Sequence, residues 1–207
     1  MQFIDRLYAG RQLAEKLMQY KESKAIILAI PRGGVEVGYA LAAELHLPLG
    51  VIVAKKIPYP GNAELAIGAV CEGAVSLDNG LIAVHNISSS YIEHEVQRIK
   101  SGIKERYKRF GKLSELKGRI VILTDDGIAT GHTFFAAVDF IKKAKPKKVI
   151  AAVPVASAES LAMLEKKVDE LVVVEKPKYF YAVGEFYRTF KQVSDEEVVK
   201  YLAKAEK

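Results

Sequence analysis

The stretch VILTDDGIATGHT, residues 121–133, sets an apolar run, two adjacent carboxylates and a Gly/Thr-rich segment side by side. The apolar run Ile120 to Thr124 has strand character. Behind the loop, HTFFAAVDFIKKA spaces Phe134, Val138 and Ile141 about one helical turn apart, the mark of a covered helix face. Strand, loop and helix in that order form the repeating unit of an α/β sheet. Gly127 and Gly131 permit backbone geometries closed to other residues, and the loop opens a helix whose first amides and dipole favour an anion. Two carboxylates at the mouth of an anion loop are compatible with one ligand that carries a diol or metal at one end and a phosphate at the other.

Outward from this stretch, four more apolar runs lie between helix-like segments: Ala25 to Ile30, Leu49 to Ala54, Val149 to Val153 and Leu171 to Val174. They are continuous rather than alternating, as in strands buried on both faces. Between the first two, Val37, Leu41 and Leu45 again mark one helix face. The expected fold class is therefore α/β, an open, mainly parallel five-stranded sheet flanked by helices with right-handed crossovers, in a single domain over residues 1–207. Residues 57 to 87 interrupt the alternation. Their Gly, Pro and Asn content predicts a mobile loop, about 57–67, and a small β element with strand-like pieces at AIGAV and GAVSL. Residues 89 to 110 predict one long charged helix with Ile92, Val96, Ile99 and Ile103 as its apolar stripe. The tail, 176 to 207, is aromatic first and then helical, with Ser194 as N-cap and Glu197 completing a capping box.

Composition narrows the function classes. The chain has 207 residues, half of them hydrophobic, enough for a full core. A single cysteine, Cys71, rules out an intrachain disulfide framework or a cysteine-based zinc site, and a reducing, cytoplasmic setting is expected. The N-terminus mixes acids and bases without the apolar core of a signal peptide, and no run approaches the ~20 apolar residues of a membrane span. The net charge of +6 raises nucleic acid as a partner. The densest basic run, Lys142 to Lys148, lies between a helical and a strand-like segment, where lysines ordinarily complement the helix dipole; an RNA patch is the alternative.

Open α/β sheets bind ligands outside the carboxyl ends of their strands. Those ends are Pro31-Arg32-Gly33-Gly34, Lys55-Lys56, Asp125-Asp126-Gly127 and Pro154. Arg32 brings a guanidinium suited to bidentate phosphate contact, and Lys55 and Lys56 could add point charges to the same polyanion. Each has an ordinary reading too: a surface turn, a glycine turn with a surface arginine, a solvated strand end. Their convergence on one sheet edge favours a site. Other motifs fail on spacing. Three residues separate Gly127 from Gly131 and His132 follows, so this is no Walker loop. His94-Glu95 lacks a zincin's second histidine, and neither G-x-S-x-G nor the full G-x-G-x-x-G occurs.

At these residues the chain resembles a known family. VILTDDGIATGHT is similar to the 5-phosphoribosyl-1-pyrophosphate (PRPP) signature of the type I phosphoribosyltransferases, and within them to a microbial phosphoribosyltransferase-like subfamily. IPRGGV resembles the family's pyrophosphate loop, KKIPYPGNAELAIGAV its basic strand end and closing loop, and KPKYFYAVGEFYRTF its C-terminal hood segment. The resemblance implies that Asp125 and Asp126 bind the ribose hydroxyls directly or through Mg²⁺. It implies that Gly127, Ile128, Ala129, Thr130, Gly131, His132 and Thr133 hold the 5-phosphate. Arg32, Gly33 and Gly34, with Lys55 or Lys56, would face pyrophosphate. A cis non-proline peptide is expected near Arg32-Gly33, and the hood is expected from the N-terminal segment and/or about 176–207. Asp125, Asp126, Arg32 and Lys56 are the implied catalytic set, Mg²⁺ the cofactor, PRPP and a nitrogenous acceptor the ligands, and a homodimer the assembly.

The acceptor half departs from the family pattern. Ala129 stands where purine-using members carry a base-facing carboxylate, Pro154-Val155-Ala156-Ser157 offers no lysine, and Gly184-Glu185-Phe186-Tyr187 is not the usual hood order. Phe180 and Tyr187 are candidates for stacking on a flat acceptor, or equally buried hood aromatics. Two functions remain besides transfer to a nucleobase. One is a non-catalytic PRPP- or nucleotide-sensing protein that contacts nucleic acid or a protein. The other, a hydrolase-like use of the phosphate site, lacks a nucleophile and a base.

Overall fold

The computed structural model describes residues 2–71, 74–111, 113 and 115–205, with the backbone alone at residues 63 and 64. Strands β1 (Ile26–Ala29), β2 (Leu49–Val51), β3 (Ala54–Tyr59), β4 (Asn62–Cys71), β5 (Ala74–Leu77), β6 (Ile120–Thr124), β7 (Lys148–Val155) and β8 (Glu170–Glu175) are joined or flanked by helices. The helices are α1 (Arg6–Glu15), α2 (Gly34–Leu45), α3 (Asn79–Val84), α4 (Ser89–Phe110), α5 (His132–Lys143), α6 (Ala158–Leu164) and α7 (Asp195–Ala205). The main sheet is five-stranded and parallel in the order β2-β1-β6-β7-β8. Its chain order reverses between β1 and β6, so the crevice at the carboxyl ends of those two strands is the ligand position that such a sheet offers.

The period of two along each strand explains the continuous apolar runs. Ile27, Ile122 and Ile150 face Leu13 of α1, Leu17 just beyond it, and Val37, Leu41 and Leu45 of α2. Leu28, Leu123 and Val153 face Phe134, Val138 and Ile141 of α5. Both faces are covered, and neither alternates with polar residues.

Two expectations need correction. The apolar run Leu49 to Ala54 is not one strand. Ile52 N–H still donates to Ala29 O at 3.0 Å, but Val53 N–H donates to the Tyr107 hydroxyl at 3.0 Å, and β3 begins at Ala54 in a different sheet. Residues 57 to 67 are not an irregular loop but the end of β3 and the start of β4, paired antiparallel, with β5 on the far side of β4. Gly61, at φ +79°, makes the turn, and the register shifts at Ile57/Pro58 and Pro58/Tyr59 accommodate a proline that cannot donate to the ladder. Ile57 and Ile67 are fully buried against Val96, Ile99 and Ile103 of α4, which holds the hairpin on the body of the protein. AIGAV lies in β4; GAVSL coincides with β5 except for its first residue, which is outside the described residues.

The N-terminal segment meets the stretch before α7 at the carboxyl end of β7, where Phe3 and Tyr187 pack with Val155. Phe3 N–H donates to Phe186 O at 2.7 Å and Arg188 N–H donates to Phe3 O at 2.8 Å, forming a parallel bridge between Phe3 and Tyr187. At α7 the Ser194–Glu197 capping box forms as its spacing predicts: Glu197 N–H donates to Ser194 Oγ at 3.2 Å, and Ser194 N–H to Glu197 Oε2 at 2.7 Å.

Candidate functional site

Asp125 and Asp126 leave the carboxyl end of β6 directly against the N-terminus of α2. A Cβ on Gly34 would lie 2.8 Å from the Asp125 Cα, and one on Gly33 would overlap the Asp126 carboxylate. The paired glycines thus provide the space in which the acids sit. Asp126 N–H donates to Asp125 Oδ1 at 2.8 Å, and Asp126 Oδ2 accepts from Arg6 Nε at 2.7 Å. Arg6 is only 6% exposed. Its Nη1 donates to Lys191 O at 2.8 Å and to Glu36 Oε2 at 3.4 Å, and its guanidinium lies 3.8 Å over the Phe190 ring. Glu36 Oε1 in turn accepts from the Tyr201 hydroxyl at 3.0 Å. One guanidinium from the start of α1 therefore ties β6 to α2 and to the C-terminal segment.

Burial and the adjacent Asp126 push the Asp125 carboxyl well above the ordinary carboxylate range, against the pull of the Asp126 amide and Arg6. Burial also raises Asp126, with Arg6 opposing. Burial thus disfavours the charged form of both acids, a condition that a cation or several hydroxyl donors would relieve.

The loop after the acids is held from outside. Ile128 N–H donates to Val155 O at 2.9 Å and Ser157 N–H to Ile128 O at 2.9 Å, while the Ser157 and Ser160 hydroxyls donate to Ala129 O at 2.7 and 2.6 Å. Ile128 is accordingly a correction to the expected phosphate ligands: its amide is taken and its side chain is core. It shapes the loop. Gly131, at φ +75°, turns the chain into α5, whose first-turn amides have no intrahelical acceptor. A cavity of about 200 Å³ opens here, lined by Lys56, Asp125, Gly127 to Thr133, Phe134 and Val183.

The two lysines separate, because neighbours on a strand point to opposite faces. Lys56 lines the phosphate-loop cavity. Lys55 turns toward α4, with Nζ 3.3 Å from the Cβ position of Gly102, and its pKa is lowered by burial and by Arg106 and Arg98. Lys55 is thus removed from the expected pyrophosphate set. Arg32 is exposed, makes no side-chain hydrogen bond or ion pair among the described residues, and follows a cis Pro31–Arg32 peptide. Tyr187 also needs correction. It is 4% exposed, packed between Phe3 and Phe190, and its hydroxyl donates to Asp126 O at 2.5 Å, so it offers no open ring face. Phe180 stacks on Phe186 and lines a larger cavity of about 630 Å³ that shares Ala129, Thr130 and His132 with the phosphate-loop cavity. Beside it stands Tyr181, 81% exposed.

Arg6, Glu36 and Tyr181 carry no signal in sequence: a lone arginine or glutamate near a helix start is ordinary surface, and Tyr181 is one of several aromatics in a row.

The family model for the phosphoribosyl transferase domain matches residues 5–189. The chain belongs to this family. The matched span takes in Arg6, both glycines, the hairpin, the acidic pair and Tyr187. This phosphoribosyl transferase domain is 37% identical over 207 residues to two Mycobacterium tuberculosis proteins provisionally named phosphoribosyl transferase, covering 98% of the chain and 47% of theirs. It thus spans about half the length of those relatives. A crystal structure of a Thermus thermophilus protein superposes with a TM-score of 0.82 at 38% identity, over 99% of each chain. A purine phosphoribosyltransferase from Pyrococcus horikoshii shares the fold, with a TM-score of 0.52 at 19% identity over 91% of this chain and 93% of its own.

Proposed function

We propose that this domain transfers ribose 5-phosphate from PRPP to a nitrogenous acceptor, releasing pyrophosphate. The observation that carries the reading is the acidic pair beside a backbone-lined loop at the β1/β6 switch point, with Lys56 across the same cavity. Sugar hydroxyls suit the surplus acceptors of Asp125 and Asp126, and the 5-phosphate suits the amides from Ala129 to Thr133. In the reaction an acceptor nitrogen lone pair forms the bond to ribose C1, the C1–O bond breaks, pyrophosphate leaves with the electron pair, and the acceptor's proton passes to solvent. The chain's own part is to fix the sugar, present Lys56 to phosphate oxygens and limit water at C1.

Mg²⁺ fits the donor set. Asp125 Oδ2 and Asp126 Oδ1 have no hydrogen bond among the described residues, and burial disfavours the charge on both carboxyls. No group of three His, Cys, Asp or Glu gathers among the described residues, so substrate oxygens and water would complete the shell, as Mg²⁺ ordinarily accepts. Bound there, Mg²⁺ would neutralise charge on the departing pyrophosphate. The test is ³¹P NMR of PRPP with the protein and millimolar Mg²⁺, followed by a pyrophosphate-release screen over purines, pyrimidines and small amines. Unchanged PRPP resonances would sink the reading; PRPP binding with no release from any acceptor would favour a sensor.

A further inference from the structure

The two cavities on either side of the Ala129–His132 segment differ in charge. The cavity that holds Lys56 suits an anion. The charged residues lining the 630 Å³ cavity are Asp78 and Glu159, with no lysine or arginine among its lining. Asp78 caps α3 through Oδ1, which accepts from Leu81 N–H at 2.9 Å, and its Oδ2 is 3.9 Å from His132 Nε2. Glu159, exposed in the first turn of α6, makes no hydrogen bond or ion pair among the described residues. The remaining walls include the rings of Phe135, Phe180 and Tyr181. An exposed Tyr181 and an unpaired carboxylate therefore face one space, next to the loop proposed to hold the sugar phosphate.

Resting on the transferase reading, we infer that the acceptor is a flat heterocycle with an amino-bearing, donor-rich edge, and that Glu159 reads that edge. A carboxylate accepts charge-assisted N–H bonds from exocyclic amino groups, as it does from a guanidinium. The same carboxylate, with Asp78, repels an acceptor that carries its own carboxylate, and an acceptor with only ring nitrogens leaves it unsatisfied. Aromatic walls supply stacking without choosing among flat rings, so the choice falls to the acids.

The test separates this inference from the reading beneath it. Saturation-transfer NMR on the full chain without PRPP compares 2,6-diaminopurine, unsubstituted purine and orotate, while ³¹P NMR reads PRPP with Mg²⁺ separately. The expected result is diaminopurine binding at least about tenfold tighter than purine, with no orotate signal, and loss of that preference in Glu159→Gln while PRPP binding is unchanged. Asp78→Asn, which keeps the α3 cap, is expected to admit orotate or weaken diaminopurine. Purine or orotate binding as well as diaminopurine, or a preference untouched by Glu159→Gln, overturns the inference. Failure of PRPP to bind beside an intact diaminopurine preference overturns the transferase reading alone.

Discussion

At the scale of single residues, the charge balance of the site turns on Arg6. Two adjacent carboxylates at a buried strand end meet one guanidinium, whose side chain is 7% exposed against 16% for Asp126. Removing one partner of such a pair strands the other, at a cost of about 3–5 kcal/mol when both are fully buried. Because Asp126 keeps some solvent, Arg6→Gln is expected near the lower end, about 3 kcal/mol in urea denaturation. Arg6→Lys should lose less stability but also weaken PRPP, since a point charge cannot hold Asp126, Glu36 and Lys191 O together. Asp125 has the opposite sign. Its pKa is raised in the folded state, so between the ordinary carboxylate value and the raised one the folded chain keeps a proton that the unfolded chain has released. Stability then falls as pH rises through that window. Asp125→Asn removes this loss. The variant should be more resistant to urea than the parent at pH 7, with the gap closing toward pH 4, and should bind PRPP poorly. Equal gaps at both pH values would refute the assignment.

At the scale of elements, the close approach of α2 to the end of β6 gives a sharp steric prediction. Gly34→Ala would set a methyl 2.8 Å from the Asp125 backbone and must displace it. Overpacking of this kind costs about 1–3 kcal/mol, and PRPP affinity should fall with stability; a variant with parental affinity would show that the acids tolerate the shift. The same scale explains what the sequence reveals. The parallel sheet was legible because helices cover both faces and leave continuous apolar runs. The point where the chain leaves that sheet was not, since Ile52 and Val53 are both fully buried and hydropathy does not change between them. The hairpin was masked by Pro58, Pro60, Gly61 and Asn62, although a turn needs only two of those positions. Which of Lys55 and Lys56 faces the site follows only once β3 is known to be a strand. The acidic pair and its loop were legible because their chemistry is local. Arg6 was not, because its partner lies 120 positions away and no pattern within either segment announces the other.

At the scale of the molecule, the site gathers groups from distant parts of the chain: Arg6 from the N-terminal region, Lys56 from the hairpin, Asp125 to Thr133 from β6 and its loop, and Tyr187 near the C-terminal end. A ligand that needs this gathered site binds the folded chain and not the unfolded one, so its binding free energy adds to stability. At a hundredfold excess over Kd the gain is about 2.7 kcal/mol. For a chain of 207 residues, where 1 kcal/mol moves the midpoint by about 2–4 °C, PRPP with Mg²⁺ should raise Tm by roughly 5–10 °C. A chelator should remove most of the shift, because PRPP alone would bring pyrophosphate charge against Asp125 and Asp126, with Arg6 already committed to Asp126 and Lys56 the one lysine among the described residues lining the cavity. Lys56→Ala should reduce the shift, whereas Lys55→Ala, whose side chain lies toward α4, should leave it intact. A chelator-resistant shift would place PRPP away from the acidic pair, and equal losses from both lysine variants would mean that the hairpin rearranges when the ligand binds.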